Sequence, residues 1–272
     1  MANNIDNVLK FLNDLSVSTS FNITVPSSNT ELTFKQLNTE QLKQLLETIA
    51  DNSAFNNNFN IVFYSILKNN LLTPNIDINN LTVYDAQYIA LQIRANSLSE
   101  KLTVYFTDDE TQTYQLPSNK HEINLKEFIS HKKLNPILEE TITENSVLLT
   151  CKTPTIKDEN DFIKYFTSNL NTLLDKQLQN VIGEIFLYEI VKSIKDTTIN
   201  NIKTDFSEIT FKDRVEIVKQ LPTTLTGKII NFIEKYKQSL YDLYLVDIQT
   251  EVQEQKIILQ KELPFNATLF NY

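Results

Sequence analysis

Along Asn3–Leu15, the apolar residues Ile5, Val8, Leu9, Leu12 and Leu15 recur at intervals of three and four, which lines them up on one side of a helix. The Ser/Thr-rich stretch Ser16–Ser20 follows and predicts a loop or hinge. Isolated helices shorter than about 12–15 residues are marginal in water, so the stripe must pack on something. It can dock on its own domain or lie in a groove on a partner. The hinge gives it reach, and Ile5, Val8, Leu9, Leu12 and Leu15 are therefore the candidate partner-binding residues, expected against a neighbouring subunit.

Further on, the pattern alternates. Phe21–Val25 and Glu31–Leu37 read as strands joined by a turn at Pro26–Asn29. Thr39 is predicted to cap a helix carrying Leu42, Leu45, Leu46 and Ile49, and a second helix runs from about Ala54 to Asn69. Thr82 and Asp85 are spaced as a capping box ahead of a helix reaching Leu98. That helix is apolar over most of its circumference and should be central. Leu102–Phe106 and Gln112–Leu116 predict antiparallel strands around Asp108, Asp109 and Glu110. Glu122–Leu125 suggests a third strand, then a short helix, with Ser146–Lys152 closing the same sheet.

The second half is dominated by helical periodicity, at Asp161–Leu174, at Leu178–Ser193 and from about Thr224 to Tyr241. Thr210 and Asp213 form another capping box, opening a helix that Pro222 stops. Ile257–Leu263 reads as a strand. The predicted class is α+β: a mixed antiparallel sheet with helices in the first half, a mainly helical second half, and a C-terminal strand. The expected division is residues 1–20 as helix and hinge, 21–156 as the α+β body, and 157–272 as the mainly helical region.

Composition narrows the chemistry. With 272 residues and 41% hydrophobic content the chain can bury a large core. A net charge of −9 opposes binding to phosphate backbones, and Arg94 and Arg214 are the only guanidinium groups, so no nucleic-acid partner is expected. No run approaches the roughly 20 apolar residues of a membrane helix, so no membrane partner is expected either. The single cysteine, Cys151, rules out an internal disulfide and fits a reducing cytoplasm. Two glycines, Gly183 and Gly227, are too few for the usual phosphate-binding loops; both lie in helical pattern and suggest close helix packing or a helix start. His121 and His131 match no metal motif, and Cys151 lacks the glycine-bearing turn of a nucleophile. The pairs Asp108–Asp109 and Glu139–Glu140 read as solvated acids rather than as a glycosidase pair. Asp77 and Asn79 resemble part of a calcium loop that lacks its glycine and distal glutamate. No cofactor, metal or enzymatic activity is expected.

Two segments carry a resemblance. One is Glu31–Leu102, ELTFKQLNTEQLKQLLETIADNSAFNNNFNIVFYSILKNNLLTPNIDINNLTVYDAQYIALQIRANSLSEKL. The other is Gly183–Tyr272, with GEIFLYEIVKSI, then ITFKDRVEIVKQLPTTLTGKIINFIEKYKQ, and FNATLFNY at its end. Together they resemble the baseplate hub subunit and hub-assembly proteins of T-even-type contractile-tailed phages, in the same order of blocks. The resemblance implies a protein made in the host cytoplasm that helps to build, or joins, the tail baseplate through contacts with other baseplate or hub proteins. It implies no enzymatic activity. The matching polar positions are Asp85, Arg94, Asp213 and Arg214. Both aspartates are expected to cap helices, and Arg94, on an apolar helix, to form an internal ion pair with a carboxylate such as Asp85. An adaptor of another kind and an enzyme of unrecognised type are the alternative readings.

Overall fold

The computed structural model describes residues 2–50, 57–106, 120–174, 178–252 and 255–271. The chain is α+β, and its contacts gather it into two units that ignore sequence order. Unit 1 takes Met1–Ile76, Asp85–Leu134 and Tyr241–Tyr272; unit 2 takes Asp77–Tyr84 and Asn135–Leu240.

In unit 1, helix α1 spans Ala2–Ser18 and absorbs most of the stretch expected to be a hinge. The reason is local: the hydroxyls of Ser18 and Thr19 donate back to the Leu15 carbonyl at 2.7 and 3.2 Å, so they extend the last turn. Strands β1 (Phe21–Thr24) and β2 (Glu31–Phe34) form the predicted hairpin, with Ile23 opposite Leu32 and both buried. Asn29, at φ 55°, makes its turn; asparagine tolerates the left-handed region. Helix α2 (Thr39–Glu47) is capped by Asn38, not Thr39. Asn38 has Gln41 three residues on, and the two side chains each bond the other's backbone amide. Helix α3 spans Asn57–Asn70, and the predicted start at Ala54 lies outside the described residues.

Helix α4 (Val83–Ser97) has Ala86, Ile89, Ala90, Leu91 and Ile93 fully buried, as an all-round apolar helix requires. Strand β3 (Lys101–Tyr105) pairs with β4 (Lys120–Asn124), which leads into helix α5 (Leu125–His131). The predicted strand Gln112–Leu116 lies outside the described residues, as do Asp108 and Asp109. The C-terminal part returns to this unit as a hairpin of β9 (Leu245–Val252) and β10 (Gln255–Glu262), then a 3-10 turn at Ala267–Phe270. Phe265 stands edge-on to Phe59 and Phe63 at 5.3 and 5.9 Å, seating that tail in an aromatic cluster.

Unit 2 holds a four-stranded antiparallel meander of β5 (Glu139–Glu144), β6 (Val147–Lys152), β7 (Ile194–Ile199) and β8 (Ile202–Asp205). Strand β6 therefore belongs here, between β5 and β7, and does not close the β3–β4 sheet as expected. The β7–β8 turn uses Asn200 and Asn201 at φ 49° and 65°, the pair of positive angles that a two-residue hairpin turn needs. Helices α6 (Ile156–Leu174), α7 (Leu178–Lys192) and α8 (Phe211–Lys219) belong to this unit, as does α9 (Thr223–Tyr244) up to Leu240. Gly183 in α7 and Gly227 in α9 have no atom within 4 Å of where a Cβ would sit. Close packing therefore does not explain either glycine.

Candidate protein-interaction site

The five stripe residues of α1 all lie exposed, together with a sixth that the sequence reading omitted, Phe11. Exposure runs from 48% at Leu15 to 67% at Phe11. At 100° per residue the six side chains occupy an arc of about 160°, with Asp6, Lys10 and Asp14 on the opposite side. Phe11 stands three residues after Val8 and four before Leu15, so its spacing was the available signal. An exposed contiguous apolar face of this kind makes α1 the candidate contact surface, since scattered single apolar residues would need no explanation. Burying the remaining exposed part of each side chain on a partner would contribute on the order of 1 kcal/mol apiece.

The four structural polar positions lie inside the units. In unit 1, Asp85 is fully buried, and its carboxylate accepts from the Ser27 amide at 3.0 Å and the Ser27 hydroxyl at 2.5 Å. Arg94, 2% exposed, donates from Nε to the Leu269 carbonyl (2.9 Å), from Nη1 to Ser99 (2.6 Å) and from Nη2 to Lys101 (3.4 Å). The guanidinium thus ties together three main-chain carbonyls. In unit 2, Thr210 caps α8 by accepting from the Asp213 amide, and its hydroxyl donates to the Asp213 carboxylate at 2.6 Å. Arg214, 4% exposed, donates to the Ile209 carbonyl at 3.2 Å and stands 3.5 Å from Asp158 and 3.7 Å from Asp161.

One buried charge cluster was missed by the sequence reading. Lys192, at the end of α7, lies 2.6 Å from Glu189 and 2.8 Å from Glu159, with its ammonium 4.8 Å from the centre of the Phe162 ring. Burial works against the charge, but Glu159 and Glu189 outweigh it and hold the ammonium protonated above its ordinary range. Glu189, three residues before Lys192 on one helix, was the legible half of this cluster.

Of the groups that could have carried chemistry, Cys151, Glu139, Glu140 and Asp77 are buried or paired within the fold. Cys151 is buried in β6, and burial followed by the charge of Glu140 pushes its thiol up to about 12, so it holds no thiolate at neutral pH. Glu139 and Glu140 are consecutive on β5 and point to opposite faces; Lys195 pairs with the first at 2.7 Å and Lys235 with the second at 2.6 Å. Asp77 caps the 3-10 turn Ile78–Asn80 by accepting from the Asn79 amide at 3.0 Å. His121 and His131 line one cleft of about 490 Å³ between β4–α5 and β9, where the His121 ring stands edge-on to Phe106. Among the described residues no three His, Cys, Asp or Glu side chains are grouped to hold a metal ion, and no described helix is long and apolar enough to cross a membrane.

Neither the curated proteins nor the solved structures gave a match. A family model does match, over residues 17–262, so the match begins at the end of α1 and takes in nearly all of both units. On that match, the chain belongs to the T4 bacteriophage base plate protein family.

Proposed function

We propose that this base plate protein is a component or assembly factor of the baseplate hub, acting in the host cytoplasm during tail assembly through contacts with other baseplate proteins. The observation that carries the reading is α1, whose six apolar side chains lie exposed on one side of a helix that almost wholly precedes the family match. The hub assignment itself is supported by the resemblance of Glu31–Leu102 and Gly183–Tyr272 to hub subunit and hub-assembly proteins. Leu9→Asp with Leu12→Asp tests the contact. Both residues are more than half exposed, so the free protein should melt within about 1 kcal/mol of the parent, while assembly of complete tails is lost. A double variant that unfolds far more easily as a free chain would assign α1 to its own core. Cross-linking of assembling baseplates should place α1 against a hub protein; cross-links confined to components outside the hub would refute the hub role.

A further inference from the structure

Unit 2 contains a cleft of about 450 Å³ between α6 and the segment that enters α8. Its charged lining runs opposite to the charge of the chain. Lys157, Lys164 and Lys212 are exposed there, and Arg214 forms part of the wall. Lys157 and Lys164 are seven residues apart on α6, which puts them on one side of that helix. No carboxylate of the described residues stands within ion-pair distance of Lys157, Lys164 or Lys212. Asp161 is the one acid in the lining.

Arg214 bears on the sign of the cleft. It is 4% exposed, and a buried guanidinium ordinarily satisfies its five N–H groups. Here Nε donates to Ile209, and Nη1 and Nη2 form ion pairs with Asp158 and Asp161 at 3.5 and 3.7 Å. Asp158 is also engaged elsewhere, since its other oxygen accepts from Lys152, the Thr155 amide and the Thr155 hydroxyl. Arg214 is ion-paired with both acids, including Asp161 of the lining, so the sign of the cleft is set by the three exposed lysines. The N-terminus of α8 opens on the same cleft and adds to the same sign of charge.

We propose that this cleft is a second contact surface, which takes the carboxylate side chains of an acidic segment on another protein. The inference rests on the reading that the protein works by binding proteins. The volume suits two or three side chains. Lys157, Lys164 and Lys212 give encounter and register, and Arg214 offsets the charge of the acid in the lining. A nucleic acid is the poorer fit, because three lysines in a cleft of about 450 Å³ neutralise few phosphates.

The test uses the full chain and a fluorescein-labelled hexaglutamate peptide, followed by anisotropy, with lysine acetylation read by mass spectrometry. Saturable binding is expected, weakening as salt rises, and the peptide should protect Lys157, Lys164 and Lys212 from acetylation while leaving Lys43 and Lys256 reactive. Lys157→Glu, Lys164→Glu and Lys212→Glu together should weaken binding at least tenfold; the protection pattern on the parent chain decides the matter if that variant fails to fold. Absence of saturable binding, protection elsewhere, or unchanged affinity in a folded triple variant overturns the proposal. So does displacement of the peptide by an equal concentration of inorganic phosphate, which would mark a general anion site. The α1 double variant should bind the peptide as the parent does, so failure of the helix reading and failure of this one are separate results.

Discussion

Arg94→Leu removes the donor of three hydrogen bonds that tie α4 to the start of β3 and to the 3-10 turn Ala267–Phe270. Two of them, to Leu269 at 2.9 Å and Ser99 at 2.6 Å, are short and made by a charged donor. Such bonds contribute about 1.5–3 kcal/mol each, and the one to Lys101, at 3.4 Å, adds little. Leucine recovers some apolar contact but offers the two carbonyls no donor. The net loss should be about 3–5 kcal/mol, measured by urea unfolding followed by circular dichroism. Because the Leu269 carbonyl belongs to the C-terminal turn, amide exchange should quicken first at Leu269 and Asn271, whose amides close that turn on Asn266 and Thr268. Arg94→Lys keeps the charge, but a single ammonium cannot span carbonyls on two segments, so only part of the loss should be recovered. A loss below about 1 kcal/mol, the scale of an ordinary surface change, would show that the guanidinium does not hold the tail.

Two further outcomes follow from the interior of the units. Gly227→Ala should stabilise the chain by about 0.5–1 kcal/mol in the same urea assay, since alanine is the better helix former and its Cβ would meet nothing within 4 Å; destabilisation would show that the site is crowded. Cys151 should resist thiol reagents in the native chain at pH 8. Its thiol is raised from 9.0 to about 12, so the unfolded chain ionises first and stability should fall as the pH climbs through that interval. Fast labelling of the native chain at pH 8 would refute the burial.

Much of the local structure was legible in the sequence, because period and cap are properties of neighbouring residues. The spacing of Ile5, Val8, Leu9, Leu12 and Leu15 dictates a one-sided helix wherever that helix lies. Thr210 and Asp213 mark the start of α8, since the orphan amides of a first turn need an acceptor close in sequence. The hairpin of β1 and β2 follows from two alternating runs joined by a short turn. Even the errors were small where the cause was local, such as Asn38 in place of Thr39 as a cap.

The tertiary structure decided what depends on distant segments meeting. β6 pairs with β7 across a gap that holds α6 and α7, and β3 pairs with β4, while β3 and β6 show the same alternation. Period tells which face of a strand is buried and carries no information on the neighbouring strand. Arg94 lies on an apolar helix, and the path of the chain brings the Leu269 carbonyl to it from 175 residues away. Lys192 is a charged helix residue until the fold sets Glu159 beside it. The exposure of α1 and the basic cleft beside α8 belong to the same class of fact. Both are set by what the rest of the chain leaves uncovered, and no window of sequence contains that.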